Sequence, residues 1–263
     1  MSTDMNLKQG CLLTRIENNS LWITLNRPEK RNAMNDEMLV RLLSILRTAA
    51  NSPEARNIVV EGAGSYFSSG RDLRNLVHEP ETRPRLDEEY SDANIDHFYT
   101  FLTCLLDFPK PTIAAVKGYA IGGAQALTLA CDFVIAEKAA KFGNIEITNG
   151  YPAAMNIVLL QRHLGPRLAL EIAVTGTLRS AVEYHSYGLI NRICEEGELD
   201  NKVKEFLADL DRTPWSVRKT KELMRKLEGS PLETSMHIGA QLNRLMLLNG
   251  SFSTPKATEK YPI

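Results

Sequence analysis

The sequence of 263 residues has few cysteines, few histidines and no N-terminal apolar segment. Its four cysteines lie far apart and none belongs to a CxxC pair, which argues against a disulfide framework or a zinc knuckle. The five histidines lack metal-ligand spacing, so we expect no metal site. Reduced thiols and a polar first segment, without the apolar core of a signal peptide, lead us to expect a cytoplasmic protein.

Charge and hydropathy argue against two further classes of partner. The chain has 31 lysines and arginines against 32 aspartates and glutamates, a formal net charge of -1, so we expect no nucleic-acid binding. Lys117 and Asp132 interrupt the longest apolar run, so we expect no membrane partner either. Apolar residues make up 43% of the chain, enough for the core of one large domain.

Short β-branched segments alternate with apolar residues at helical spacing, which predicts repeated strand–strand–helix units. The predicted strands lie at 12–16, 21–25, 58–60, 112–116, 133–136 and 189–193, and the predicted helices at 36–50, 95–106, 124–131, 154–163, 166–175 and 181–187. Asn35 and Ser180 are predicted N-caps, and Pro166 a first helical residue. Residues 141–152 are predicted as a loop, and three helical pieces follow Leu199. We therefore expect an α/β core over 1–198 and a helical region over 199–263.

Residues 117–133, KGYAIGGAQALTLACDF, join a predicted buried strand to a predicted helix through Gly122 and Gly123. Two glycines at such a joint allow a sharp turn and let a ligand contact the main chain directly. The first amides of a helix have no partner within it and lie at the positive end of its dipole. This joint therefore predicts a site for a negative oxygen, although an ordinary strand-to-helix turn would give the same pattern.

Five stretches in order resemble the crotonase family, the enoyl-CoA hydratase/isomerase superfamily. They are NRPEKRNAM at 26–34, FSSGRDL at 67–73, KPTIAAVKGYAIGGAQALTLACDF at 110–133, FGNIEITNGYP at 142–152 and SAVEYHSYGLINRI at 180–193. The resemblance implies an α/β fold, a crotonase-like spiral of strand–strand–helix units with a helical C-terminal trimerisation region. It therefore also implies a homotrimer or a dimer of trimers, to which the apolar helical tail would contribute.

The resemblance also implies an acyl-CoA thioester as substrate, with no cofactor bound permanently. Its oxyanion hole would consist of the backbone amides of Arg71 and Gly123, which hold the thioester oxygen. The remaining residues expected to bind the substrate or its CoA are Lys30, Arg31, Ala33, Ser69, Gly70, Asp72, Leu73, Tyr119, Gly122 and Tyr151. Lys30 and Arg31 would meet phosphate, Ala33 would meet adenine, and the two tyrosines could line the acyl pocket.

The carboxylates distinguish the possible activities. Family hydratases usually have two catalytic glutamates; the position of the first is Ala126 here, and that of the second is Glu146. One glutamate that moves a proton resembles the family's enoyl-CoA isomerases, which we therefore favour. Hydratases of the hydroxycinnamoyl-CoA hydratase-lyase type also lack the first glutamate and resemble residues 142–152. A non-catalytic acyl-CoA-binding relative is a further alternative.

Overall fold

A computed structural model of the chain describes residues 10–72 and 97–248. Its strands are β1 (Leu12–Glu17), β2 (Ser20–Leu25), β3 (Asn57–Gly62), β4 (Thr112–Val116), β5 (Tyr119–Ile121), β6 (Phe133–Glu137), β7 (Lys141–Gly143), β8 (Arg179–Ser180) and β9 (Arg192–Cys194). Its helices are α1 (Asp36–Asn51), α2 (His97–Leu106), α3 (Gly123–Ala130), α4 (Ala154–Leu164), α5 (Pro166–Thr175), α6 (Ala181–Ser186), α7 (Leu199–Leu210), α8 (Pro214–Lys226) and α9 (Leu232–Leu248).

Six of these strands form the main sheet, in the order β1-β2-β3-β4-β6-β9. The first pair is an antiparallel hairpin, as the sequence predicts, and every later pair is parallel. Parallel neighbours need a crossover, which α1 provides between β2 and β3, and α3 between β4 and β6. The parallel strands from β2 onward therefore all end at the same side of the sheet, and the loops that follow them begin there.

Alternate residues of the main sheet face two different apolar clusters. Ala114 and Val116 of β4 belong to the larger cluster with α1, α2 and α3, whereas Ile113 and Ala115 belong to a smaller one. The smaller cluster contains Val203 and Leu207 of α7. Because successive side chains of a strand point to opposite faces, a strand that is buried on both sides is apolar throughout.

Local signals place several helix ends where the sequence predicts them. The Asn35 side chain accepts a hydrogen bond from the Met38 amide (3.0 Å) before α1. Ser180 and Glu183 form a reciprocal capping box before α6, and Pro166 is the first residue of α5. These predictions are confirmed because each depends only on residues within one turn of helix.

A second, three-stranded sheet, β5-β7-β8, differs from the expectation. The predicted loop at 141–152 contains β7 and a 3-10 turn at Ile145–Asn149. The strand predicted at 189–193 is confirmed only at its C-terminal end, where β9 spans Arg192–Cys194. Strands of two or three residues are too short to show an apolar–polar alternation in sequence, so pairing with neighbours decides them.

The chain divides into two compact units, Met1–Pro214 and Trp215–Ile263. Helix α7 belongs to the first unit, whereas the expected division lay at residue 198. In the part of the chain that the structure describes, no helix is both long and apolar enough to cross a membrane. The four cysteines all lie in the described residues, and none of them forms a disulfide bond there.

Candidate active site

The joint at Gly122 and Gly123 and the FSSGRDL stretch at 67–73 meet in the structure. Residue Ser68 forms a parallel bridge with Ala120 of β5, so the segment after β3 runs beside the segment before α3. A Cβ atom on Gly70 would lie 2.7 Å from the Ile121 carbonyl oxygen and 2.8 Å from the Gly123 amide nitrogen. Gly70, with φ of 94°, is therefore in contact with the start of α3, and only glycine leaves room for this approach.

The Arg71 amide lies on the edge of its segment that faces Gly123. On the opposite edge, the Gly70 carbonyl accepts from the Met34 amide (2.8 Å) and the Asp72 amide donates to the Met34 carbonyl (2.9 Å). Backbone amides alternate in direction along an extended segment, so the Arg71 amide points away from Met34. A Cβ on Gly123 would lie 3.2 Å from the Arg71 nitrogen. The two amides expected to form the oxyanion hole are thus neighbours.

Gly122 turns the chain from β5 into α3. Its φ of 56° and ψ of -126° are accessible to glycine and strained for residues with a side chain. Its amide donates to the Gly143 carbonyl (2.9 Å), and its carbonyl begins the hydrogen bonds of α3. Because Gly123 is the first residue of α3, its amide has no partner within the helix and lies at the positive end of the helix dipole.

Glu146 lies against this turn. Its Oε2 atom would be 3.2 Å from a Cβ on Gly122, and its Oε1 atom accepts a hydrogen bond from Asn156 Nδ2 (2.9 Å). Oε2 is buried and has no hydrogen-bond partner among residues 10–72 and 97–248. Buried polar atoms nearly always have a partner, and an exception commonly marks a functional site. The geometry therefore presents one carboxylate oxygen beside Gly122, the residue that directly precedes the Gly123 amide.

Buried polar side chains support the turn that carries Glu146. Asn144, directly before the turn, accepts a hydrogen bond from Gln125 Nε2 (3.1 Å), and Gln125 accepts one from the Tyr184 hydroxyl (2.9 Å). A tyrosine hydroxyl is protonated at neutral pH, and burial raises the pKa of the Tyr184 hydroxyl further, so it acts as the donor in this contact. These contacts connect the turn to α3 and α6.

Ala126 is fully buried on α3, three residues after Gly123. Its methyl group cannot accept a proton or hold a water molecule. Family hydratases usually have a glutamate at both positions, those of Ala126 and Glu146. In this chain only the second position, Glu146, has a carboxylate, as expected.

The basic loop at 27–33 is folded around Asn32. Asn32 is fully buried with φ of 55°, and its Nδ2 donates to the carbonyls of Ala63 (2.9 Å) and Tyr66 (2.8 Å). Its own carbonyl accepts from the Ser68 hydroxyl (2.8 Å). Asparagine tolerates the left-handed conformation better than most residues do. This side chain therefore fixes the loop against the segment that leads to the oxyanion amides.

An ion pair reinforces the same connection. Arg27 Nη1 lies 3.2 Å from the Asp72 carboxylate and donates to the Ala33 carbonyl at 2.6 Å. Both charged side chains are largely buried. Asp72 thus holds the loop next to Arg71, and its expected contact with CoA stays a prediction.

Arg31 and Tyr119 connect the basic loop to β5. Burial raises the pKa of the Tyr119 hydroxyl, and a hydrogen bond with Arg31 opposes that rise. Tyr119 also stacks on Tyr66 with ring centroids 4.2 Å apart. The Ser69 amide donates to the Arg31 carbonyl (2.9 Å). Three of the residues expected to bind substrate therefore lie together.

The remaining expected residues have different surroundings. Lys30 is exposed at the end of a 3-10 turn, and Ala33 is buried. The Tyr151 side chain is 49% exposed, although its amide donates to the Glu146 carbonyl (3.1 Å). Leu73 lies outside the described residues. The roles assigned to these four residues stay predictions.

Two asparagines that the sequence analysis does not single out shape the site. Asn32 folds the basic loop, and Asn156 of α4 holds Glu146. Asn32 had a local signal, since asparagine next to a turn is a common left-handed residue. Asn156 had none, because its contacts come from residues 10 and 34 positions away. Within the described ranges, no group of three or more histidine, cysteine, aspartate or glutamate residues could hold a metal ion.

The chain is similar to known proteins over most of its length. The family model of enoyl-CoA hydratase/isomerase matches residues 15–252. A Thermus thermophilus protein with an enoyl-CoA hydratase name is 35% identical over 84% of this chain and 86% of its own. The 1,2-epoxyphenylacetyl-CoA isomerase of Escherichia coli is 31% identical over 89% of each chain.

A solved structure gives the same result for the fold. The enoyl-CoA hydratase subunit of Geobacillus kaustophilus is 27% identical and superposes with a TM-score of 0.81, covering 91% of this chain and 90% of that one. The expected α/β crotonase fold with C-terminal helices is thereby confirmed. The chain therefore belongs to the enoyl-CoA hydratase/isomerase family, the crotonases, which act on CoA thioesters.

Proposed function

We propose that the protein is an enoyl-CoA isomerase-like enzyme in which Glu146 alone moves a proton along the acyl chain. The supporting observation is the buried Oε2 atom beside Gly122, which has no hydrogen-bond partner among the described residues. Gly122 directly precedes Gly123, and Gly123 contacts Arg71. One well-placed oxyanion donor contributes about 3 kcal/mol of transition-state stabilisation. Two such donors would make a weakly acidic thioester α-carbon accessible to a carboxylate base.

The proposed reaction needs one base and no added water. Glu146 takes a proton from C2 of a 3-enoyl-CoA, and the electron pair of that C–H bond moves toward the thioester oxygen. The two backbone amides hold the resulting dienolate oxygen. Glu146 then returns the proton to C4, and the double bond comes to lie between C2 and C3. The proton taken is the proton delivered, so the step is balanced.

Ala126 argues against efficient hydration. Addition of water across a 2-enoyl-CoA needs a water oriented toward C3 as well as a proton for C2. A second carboxylate at position 126 would share that task, and the buried methyl group there cannot.

Names of relatives support both classes of activity. The 1,2-epoxyphenylacetyl-CoA isomerase of Escherichia coli is 31% identical, and the mevalonyl-coenzyme A hydratase of Aspergillus fumigatus is 33% identical. A hydratase of the hydroxycinnamoyl-CoA hydratase-lyase type is therefore the second candidate, favoured by the resemblance of residues 142–152. A non-catalytic acyl-CoA binder is disfavoured, because binding alone needs neither Glu146 nor the paired amides.

The ratio of isomerisation to hydration tests the proposal. We expect isomerisation of 3-enoyl-CoA substrates to exceed hydration of crotonyl-CoA, because one general acid–base group typically contributes about 100- to 10,000-fold. Ala126→Glu is expected to raise hydration more than isomerisation. Both rates are followed with a panel of CoA esters, and α-proton exchange in D2O reports enolate formation for every substrate.

Ala126→Gln is the matched control, since it adds a side chain of nearly the same size without a basic group. Thermal unfolding of both variants shows whether the buried position accommodates the longer side chain. A parent protein that hydrates crotonyl-CoA faster than it isomerises any 3-enoyl-CoA would contradict the isomerase assignment and favour the hydratase-lyase type.

We also propose that the protein is a cytoplasmic homotrimer or dimer of trimers. In the second unit, large apolar side chains of α8 and α9 are exposed, and no residue of α9 is buried. The exposed apolar residues there are Trp215, Met224, Leu232, Met236, Leu245, Leu247 and Leu248. Large exposed apolar surfaces of this kind usually mark protein–protein contacts.

Sedimentation tests the assembly. We expect a trimer or hexamer at micromolar concentration and a shift toward monomer for Met236→Lys, which places a charge in the proposed interface. Ser44→Lys is the control, because this exposed residue lies on α1 of the first unit, outside α8 and α9. A stable monomer of the parent protein would contradict the assembly but not the chemistry.

A further inference from the structure

Asn156 of α4 makes two hydrogen bonds through one amide nitrogen. The side chain is only 2% exposed, and its Nδ2 atom donates to the Gly122 carbonyl (3.0 Å) and to Glu146 Oε1 (2.9 Å). The primary amide has two N–H groups, so both acceptors are satisfied at once. Among the described residues, Asn156 is the side chain that donates to the Glu146 carboxylate.

Both acceptors require the nitrogen at this position. Rotation of the amide by 180° would place its oxygen against a carbonyl oxygen and a carboxylate oxygen, neither of which can donate while the carboxylate is ionised. The other end of the amide, Oδ1, is buried and has no hydrogen-bond partner in the described part of the chain. The orientation of the side chain thus satisfies both N–H donors of Nδ2, whereas the acceptor Oδ1 makes no hydrogen bond with the described residues.

The two acceptors belong to two different parts of the candidate site. The Gly122 carbonyl and the Gly123 amide share one peptide group, so the direction of the first determines the direction of the second. The same carbonyl also accepts from the amides of Gln125 (3.0 Å) and Ala126 (3.3 Å) at the start of α3. The start of α3 therefore fixes this peptide group, and Asn156 attaches the Glu146 carboxylate to it.

We propose that Asn156 is a positioning residue that holds the Glu146 carboxylate in a fixed place relative to the oxyanion amides. With Oε1 bound by Asn156, the carboxylate cannot rotate freely, and Oε2 is left buried beside Gly122. This inference rests on the proposed role of Glu146 as the base. The orientation of the proton-transfer group then depends on a residue of α4 that lies outside the five sequence motifs.

The effect should appear in turnover rather than in substrate binding. Asn156 contacts the carboxylate and a carbonyl already bound by amides of α3, so its loss leaves the amides of Arg71 and Gly123 and the basic loop at 27–33 in place. A base displaced by about 1 Å can lose about 100-fold in rate. We expect Asn156→Leu, which has the same branched outline without donors, to lower kcat for α-proton exchange about 100-fold while KM for the CoA ester stays within about threefold.

Asn156→Asp is the second variant. It keeps the volume of asparagine and replaces the donor with an acceptor, so it tests the hydrogen bond even if the leucine variant folds poorly. Its exchange rate is expected to fall at least as far as that of Asn156→Leu, because two carboxylates repel each other. Rates are divided by the folded fraction measured by circular dichroism.

A double-mutant cycle separates positioning from a structural effect. In a Glu146→Gln background, loss of Asn156 should cause no further fall in the residual exchange rate, because the group it positions is already absent. A purely structural role would lower the rate by the same factor in both backgrounds and would overturn the proposal.

Asn57→Leu is the matched control. Asn57 is also 2% exposed and its amide donates to two side chains, Ser20 and Asp211, in contacts that do not involve Glu146 or the glycine turn. It should lower the melting temperature without changing kcat of the folded protein. Exchange by Asn156→Leu or Asn156→Asp at the parent rate would overturn the inference. A parent protein that exchanges no α-proton of any CoA ester would instead overturn the proposed function.

Discussion

Glu146→Gln is expected to lower α-proton exchange by about 100- to 10,000-fold, while binding of the CoA ester changes only a few-fold. Glutamine keeps the size of the side chain, and its amide oxygen can still accept from Asn156, so the turn at Ile145–Asn149 keeps its contacts. What it loses is the basic oxygen that lies buried beside Gly122. Exchange in D2O and equilibrium binding measure the two quantities separately.

Glu137→Gln is the control for this experiment. Glu137 is also a buried glutamate, but it accepts a hydrogen bond from the Gly197 amide (3.0 Å) in a different part of the first unit. Its replacement should leave exchange unchanged apart from any loss of stability. If Glu146→Gln exchanged α-protons at the parent rate, Glu146 would not be the catalytic base, and the isomerase assignment would fail with it.

Gly70→Ala is expected to abolish detectable turnover and to lower the free energy of unfolding. The new Cβ would lie 2.7 Å from the Ile121 carbonyl oxygen and 2.8 Å from the Gly123 nitrogen, so the two segments must separate. Separation moves the Arg71 amide away from the Gly123 amide. Loss of one oxyanion donor alone costs about 100- to 1,000-fold in kcat.

Gly188→Ala distinguishes this separation from backbone strain alone. Gly188 also has a positive φ of 81°, but a Cβ there would meet nothing within 4 Å. Its replacement should therefore cost only the left-handed backbone strain, about 1–2 kcal/mol, and leave turnover intact. Thermal unfolding measures the first quantity for both variants and steady-state kinetics the second. Normal turnover in Gly70→Ala would show that the two amides do not act together.

Features that depend on neighbouring residues in the sequence were predictable. The caps at Asn35 and Ser180, the hairpin of β1 and β2, and most helices follow from patterns that extend over a few residues. Glu146 and the role of Arg71 were found by resemblance to family motifs, whereas the glycine pair at 122–123 also follows from the strand-to-helix pattern around it. Chemistry alone would have left Glu146 as one glutamate among many.

Features that depend on distant contacts were not predictable. Strand β8 has two residues and pairs with β7, which precedes it by almost forty positions, so no local alternation marks it. Asn156 is one of four polar residues on α4 in the sequence, and only the folded chain brings it to Gly122. The role of a buried polar side chain depends on the groups that it contacts, and tertiary structure determines those contacts.

The bridge between Met34 and Arg71 has a consequence for variants of the basic loop. The loop at 27–33 continues directly into Met34, whose backbone holds both neighbours of the Arg71 amide, and Arg27 ties the loop to Asp72. If the loop binds the CoA nucleotide, as the resemblance to the family implies, the binding energy gained there can stabilise the positions of the two backbone amides at the reacting end of the substrate. Shortened thioesters that lack the nucleotide would then bind the same two amides in a less favourable geometry and react more slowly. A variant of the basic loop could lower kcat without the loss of any group that contacts the acyl chain.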